Sequence, residues 1–237
     1  MTSWRRWTGI VVAVLAAACV APPAEPLGAP ATIEVEDREL PEVAAESTER
    51  RVQEVTVRVR SLGCEQFGLG SGFVLPGGVV VTNRHVVGQP REITLNTWDG
   101  RSLSADVAGV ATDSDLALLQ LDDAGGVPVA EPRADPVRRG EEVFAVGYPD
   151  GGPARVSPGR VLGMVDGTVL GEPAEVVRVA VDIAQGNSGG PLVDREGLVV
   201  GVIFALEVDA GVGLAVPVAT LLERLENGDE LVPPGAC

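Results

Sequence analysis

The chain has 237 residues, a formal net charge of −16, 45% hydrophobic residues and only 3% aromatic ones. That length accommodates one large all-β domain or two small ones, and the core must be mostly Val, Leu, Ala and Ile. The 34 acidic residues outweigh 18 basic ones, all of them Arg, which excludes a basic nucleic-acid-binding face and disfavours docking on anionic membranes or acidic substrates.

Residues 1–19, MTSWRRWTGIVVAVLAAAC, set Arg5 and Arg6 ahead of an uncharged stretch from Trp7 to Ala18. A short basic region followed by an apolar run too short to cross a bilayer comfortably is the pattern of an export signal. The paired arginines also fit a twin-arginine signal. The end of the segment, LAAAC, resembles a bacterial lipobox, which implies a diacylglyceryl group and membrane attachment at Cys19. The alternative is ordinary cleavage near Ala18 or Ala21, with Cys19 incidental. Setting Cys19 aside leaves Cys64 and Cys237, an even pair in a chain bound for an oxidising compartment. They are expected to form a disulfide tying the C-terminal tail to the body; the alternative is two unpaired thiols. Residues 20–50 are rich in Pro, Ala and Glu and read as an extended tether, whose last part forms a short helix or is drawn into the fold.

From residue 51 onward the chain reads as one domain, strand after strand. VTVRVR alternates apolar and charged residues, as a half-buried antiparallel strand does. GSGFVL and GVVVTN flank a turn at Pro76-Gly77-Gly78. EITLNTW, SLSADVAGV, LALLQL, EEVFAVGY, GRVLGMV, VVRVAVD, LVVGVIF and VGLAVPV follow, separated by turn residues. Only VATLLERLEN reads as a helix, with one apolar face and Gly228 after it. Many short strands at regular spacing indicate an all-β barrel or sandwich, and the length suits two small barrels packed together.

Ser188 sits in DIAQGNSGGPLVD, between two β-branched runs and among Gly186, Gly189 and Gly190. A plain strand connection has no use for that glycine density. It indicates a backbone in unusual conformations with amide N–H groups turned toward a ligand. The single histidine, His85, follows the strand GVVVTN at a place where a side chain can face a cleft; a lone histidine otherwise serves structure. Asp115 directly precedes the apolar run LALLQL, so it can be buried and held. Asp113, two residues back, is its rival. The order His, Asp, Ser differs from the orders on the α/β-hydrolase and subtilisin folds, which argues against an esterase on another scaffold.

TNRHVV, SDLALL and GNSGGPL resemble the three catalytic motifs of trypsin-like serine proteases of the HtrA kind, and of exported actinobacterial relatives without a PDZ domain. GSGFVL ahead of the histidine and GVGLAVPV near the end extend the resemblance to roughly residues 52–228. It implies a chymotrypsin-like fold of two six-stranded antiparallel β-barrels with a C-terminal helix. It also implies an exported endopeptidase acting on polypeptides in envelope quality control or processing, with neither cofactor nor metal. By the same resemblance Ser188 is the nucleophile, His85 the base and Asp115 its orienting partner. The N–H groups of Gly186 and Ser188 form the oxyanion hole. The alternative is a protease fold that no longer cleaves and acts as a binding module.

Departures from the family shape further expectations. The chain stops soon after the barrel region, which leaves no room for a PDZ domain. Asn187 stands where digestive proteases carry the Asp that pairs with a freshly cut N-terminus, and no Ile-Val-Gly-Gly activation site occurs. The oxyanion loop is therefore expected to be set by local packing or by the Cys64–Cys237 tie. Asp182 lies at the spacing where trypsin-like enzymes place the base of the S1 pocket, the position that selects Arg or Lys when it is Asp. It equally reads as a strand-end residue. With Ile203, Phe204 and Ala205 as the opposite pocket wall, a small or medium aliphatic P1 residue is expected.

Overall fold

A computed structural model describes residues 42–64, 66–207, 210–228 and 231–235. The export signal, Cys19, most of the tether and Cys237 lie outside the described residues.

The first six strands are β1 (Thr56–Gly63), β2 (Phe67–Leu75), β3 (Val79–Asn83), β4 (Pro90–Asn96), β5 (Ser102–Ala111) and β6 (Leu116–Leu121). They close into an antiparallel barrel in the order β1-β2-β3-β6-β5-β4. The next six are β7 (Glu142–Gly147), β8 (Arg155–Val169), β9 (Glu172–Val181), β10 (Pro191–Val193), β11 (Val199–Glu207) and β12 (Val212–Pro217). They close in the order β10-β11-β12-β9-β8-β7. The expected pair of six-stranded barrels is thus present, and closure leaves no unpaired sheet edge.

Each barrel is filled from one face of its strands. In β1, Val57 and Val59 are fully buried while Arg58 and Arg60 project from the other face, as the period of two dictates. Val57, Val59, Val80, Leu95 and Leu119 fill the first barrel; Val143, Ala145, Val177, Val179 and Leu192 fill the second. A third apolar cluster joins the two. It gathers Phe73 and Leu116 from the first barrel, Val146 and Val202 from the second, and Val52 and Leu221 from the flanking helices. Valine dominates because a chain this poor in aromatics packs its sheets with β-branched residues.

Among the described residues three α-helices accompany the barrels. The expected C-terminal one is α3 (Val218–Glu226), with Leu221 wholly buried. A single turn, α2 (Arg84–Val87), carries His85. The third, α1 (Glu42–Val55), runs across the expected boundary between tether and body at residue 50. Val52 and Val55 insert into the inter-barrel cluster, and the Arg51 guanidinium donates to the Glu196 carbonyl. The tether is therefore drawn into the fold over its last turns, because two valines three residues apart share one helix face. The second barrel also contains β10, whose three residues, beginning with proline, carry no periodic signal, yet they join β7 to β11 and complete the ring.

Candidate active site

The register of β3 against β6 brings His85 and Asp115 together. Asn83, the last residue of β3, lies opposite Leu116, the first of β6. The residues just outside that pair, on α2 and in the turn before β6, are thereby neighbours. Asp115 is fully buried and its backbone is left-handed, with φ +54°. Several groups hold it there. Its carbonyl accepts the Arg84 N–H at 2.8 Å and the Asn83 side-chain amide at 3.1 Å. Its carboxylate accepts the His85 backbone N–H through Oδ1 at 3.0 Å, while Oδ2 lies 2.6 Å from His85 Nδ1. An ordinary residue adopts a left-handed conformation only when its surroundings over-determine it. The consequence is a buried carboxylate that fixes one ring nitrogen of an imidazole whose side chain is 37% exposed. Nε2 is left as the nitrogen that can accept a proton. Asp113, the rival, points elsewhere: it is 57% exposed and pairs with Arg224 of α3 at 2.8 Å.

Ser188 comes from the second barrel, in the loop between β9 and β10. Its carbonyl accepts the Ser71 N–H of β2 at 2.8 Å, so the loop is laid across the first barrel. Gly70 shows how close that approach is. A Cβ there would stand 2.6 Å from a Val86 methyl and 2.8 Å from the Ser188 carbonyl oxygen. Gly70 thus lies between the Ser188 carbonyl and Val86, the residue after His85.

The loop is shaped from within and from below. Asn187 is buried, and its Oδ1 accepts the Ala184 N–H at 3.1 Å. A neutral amide thus closes the turn with no ammonium partner. Gly186 has φ +98°, and a Cβ on it would come within 2.4 Å of the Tyr148 carbonyl oxygen. Only glycine fits. Its carbonyl accepts the Ser71 hydroxyl at 2.6 Å, and that hydroxyl accepts the Tyr148 N–H at 2.9 Å. Ser71 therefore joins three segments from a fully buried position. Sequence reading placed it in GSGFVL as part of a strand and missed this role. The signal available was a small hydroxyl residue between two glycines, where a strand is approached closely by other backbone.

The residues proposed for specificity fare differently. Asp182 is not a buried carboxylate: its side chain is 76% exposed and pairs with Arg155 at 2.8 Å. Along the end of β9, Val181 and Ile183 are buried and Asp182 points out between them, as strand alternation requires. Ile203 belongs to the core of the second barrel and Phe204 to the inter-barrel cluster; Ala205 keeps partial exposure. Beside His85 a cleft of about 340 Å³ opens, bordered also by Cys64, Gln66, Phe67, Gly88 and Gln89.

Known proteins resemble this chain in sequence and in fold. The profile of the trypsin-like peptidase domain matches residues 70–202. Serine protease Rv3671c of Mycobacterium tuberculosis strain H37Rv is 31% identical over 193 residues, covering 76% of this chain and 48% of that protein. A probable periplasmic serine endoprotease of DegP-like type from Ectopseudomonas mendocina is 32% identical over 195 residues, covering 79% of this chain and 41% of the relative. The chain spans less than half the length of these two relatives. The crystal structure of the Rv3671c protease in its active form matches with a TM-score of 0.74 at 28% identity, covering 90% of this chain and 98% of that one.

Proposed function

This chain belongs to the trypsin-like peptidase family, and on that premise we propose that it is an exported serine endopeptidase working through His85, Asp115 and Ser188. The observation that carries the reading is the buried Asp115 carboxylate 2.6 Å from His85 Nδ1, with Ser188 on a glycine-shaped loop whose carbonyl is bonded to Ser71 of β2. Ser188 Oγ attacks the scissile carbonyl carbon and its proton passes to His85 Nε2. The carbonyl π pair moves to oxygen, and that oxyanion is met by the N–H groups of Gly186 and Ser188. Collapse expels the amine, which takes the proton from His85, and leaves an acyl-enzyme. Water then repeats the sequence with Ser188 Oγ as leaving group.

The finer features follow the same reading. The P1 residue is small or medium and aliphatic, in keeping with the outward turn of Asp182 and the apolar Ile183 that follows it. Residues 1–19 direct export, Cys19 is lipidated, and residues from 20 up to α1 tether the protease to the cell envelope, where it processes or removes polypeptides. Cys64 and Cys237 form a disulfide. Support for that bridge comes from Gln89: Cys64 Sγ lies 3.9 Å from its carbonyl oxygen, and Gly235, two residues before Cys237, packs against its side chain.

The deciding experiment is labelling with a fluorophosphonate, which reacts only with an activated serine. Wild type is expected to label and Ser188→Ala to remain blank while folded. A folded wild type that never labels would instead establish a silent binding module. Membrane fractionation of Cys19→Ser tests the anchor, which requires release or loss of processing. Alkylation of the non-reduced envelope protein tests the bridge, which requires both thiols to be blocked.

A further inference from the structure

The direction of the Gly186 N–H is set one peptide upstream. Gln185 O accepts the Asp150 N–H at 2.7 Å. In a trans peptide the C=O and N–H point in opposite directions, so this bond turns the Gly186 N–H away from the 149–151 turn. Rotation of the peptide would break the bond and present a carbonyl where a donor is required. The Asp150 turn is thus the part that decides whether an oxyanion donor exists.

That turn does not hold itself. Asp150 is left-handed, at φ +53°, a conformation that a residue with a Cβ keeps only under constraint. Two bonds within it, Gly151 N–H to Tyr148 O and Gly152 N–H to Pro149 O, close the turn locally. Besides the Ser71 hydroxyl, which accepts the Tyr148 N–H, an outside constraint is Arg58, on the outer face of β1. Its Nη1 donates to the Gly151 carbonyl at 2.6 Å, and its guanidinium carbon lies 5.7 Å from the centre of the Tyr148 ring. Its Nη2 donates to Asn96 Oδ1 on β4 at 3.3 Å. Tyr148 is fixed in turn by its hydroxyl, which donates to the Thr56 carbonyl at 3.1 Å. Burial pushes the Tyr148 phenol up to about 12 against the pull of Arg58, so the hydroxyl keeps its proton throughout the working range. Arg58 Nε is buried without a partner, an arrangement that stability alone does not favour.

We propose that Arg58 is a positioning residue for the oxyanion hole: from the first barrel it clamps both ends of the 148–151 turn, and that turn orients the Gln185–Gly186 peptide of the second. The assignment rests on the reading of the Gly186 and Ser188 N–H groups as oxyanion donors. It supplies, with a side chain, the kind of constraint that a new N-terminus supplies in digestive proteases. Arginine suits the task because its planar fork serves a carbonyl and an amide oxygen at once while its face lies on a ring.

The test compares wild type, Arg58→Met, Arg58→Lys and a control, Arg50→Met, on a chromogenic peptide. Arg50 also lies over an aromatic ring, 5.5 Å from the Trp98 centroid, but touches no part of the site. In Arg58→Met, kcat is expected to fall about 10-fold or more, with KM within twofold, because only the transition state uses the oxyanion donors. Affinity for a peptide aldehyde, whose hemiacetal places an oxyanion on those donors, falls by the same factor. Affinity for the matching peptide alcohol is unchanged. Arg58→Lys is intermediate and Arg50→Met is indistinguishable from wild type. Should Arg58→Met fail to fold, Asn96→Ala, which frees Nη2, is expected to show the same split on a smaller scale. Aldehyde affinity and kcat within twofold of wild type in the folded variant would overturn the proposal. So would a kcat loss matching only a lower titrated fraction of active sites. A wild type that neither labels nor cleaves brings down the functional reading itself, whatever the Arg58 variants do.

Discussion

The two barrels contribute to the site in different ways. The first supplies side chains held by sheet register: β3 and β6 are paired strands, and His85 and Asp115 stand just past their paired ends. Among the described residues, the hydrogen bonds to the Asp115 carboxylate and carbonyl come from residues 83–85. The second barrel supplies backbone, on a loop whose glycines take conformations closed to other residues. That loop is shaped largely by the first barrel, through Ser71 N–H to Ser188 O and Ser71 Oγ to Gly186 O. The half proposed for acid–base work is therefore self-contained, whereas the half that carries Ser188, the proposed nucleophile, depends on how the barrels meet. A perturbation in the first half should change chemistry alone. One at the inter-barrel contact should change chemistry and stability together.

Asp115→Asn is the sharpest way to break the first half, and the largest effect expected here. The side chain keeps its size, and its oxygen can still accept the His85 backbone N–H. The amide then presents a donor to His85 Nδ1. That nitrogen must become the acceptor, which moves the ring proton to Nε2, facing the serine. A ring protonated there cannot take the Ser188 proton, and kcat should fall about 10⁴-fold with the fold intact. Steady-state kinetics beside a thermal melt check this. Asp113→Asn serves as the comparison, because its partner is Arg224. If Asp113→Asn were the more damaging change, the assignment of the pair would be wrong.

Ser71→Ala breaks the contact between the halves, with a smaller loss of rate and a real loss of stability. The hydroxyl donates to Gly186 O and accepts the Tyr148 N–H. Removing it leaves two buried backbone groups unpaired, at a cost of about 1–3 kcal/mol. For a domain of this size each kcal/mol lowers Tm by about 2–4 °C. Losing one tie on the oxyanion loop should lower kcat about 10-fold. Calorimetry and kinetics on the same preparation decide the matter. A change in Tm with kcat untouched would show that the oxyanion loop keeps its shape without the first barrel.

What was legible in the sequence follows the same division. The proposed triad of His85, Asp115 and Ser188 is read from three short local motifs, and the alternating strands report their own faces. Ser71 and Arg58 are not legible in this way, because their roles exist only through partners far along the chain: 115 residues separate Ser71 from Gly186 and 93 separate Arg58 from Gly151. Helix α1 was half legible, since its valines sit in a run otherwise rich in Ala and Glu and resemble the tether before it. Three-residue β10 is legible only from its neighbours, as the strand needed to close the second ring. Asp182 shows the opposite failure. Counting back from Ser188 puts it at a meaningful distance, but distance along a chain says nothing about which face of a strand end a side chain takes.

Asp182 therefore yields the smallest expected effect and the cleanest check on reading specificity from spacing. Its carboxylate pairs with Arg155, and both side chains are more than half exposed, where an ion pair is screened and contributes little. For basic P1 selection, a carboxylate must sit at the base of a pocket that excludes water, so that an apolar P1 residue leaves it unpaired. Asp182 is already solvated and already paired, so it imposes no such penalty. The neighbouring side chain that does turn inward is Ile183, which lies so near Gly213 that a Cβ on that glycine would stand 3.1 Å from its Cδ1. On the proposed specificity, an apolar floor at Ile183 accepts an aliphatic P1 residue and leaves a guanidinium without a partner. Asp182→Ser should accordingly leave the P1 profile of a peptide library unchanged, with kcat/KM within about twofold on the preferred substrate. Enlarging Ala205 to Val should instead shift the profile toward smaller P1 residues. A wild-type preference for Arg at P1 that disappears in Asp182→Ser would mean that the carboxylate turns inward when substrate binds, and the aliphatic assignment would fall.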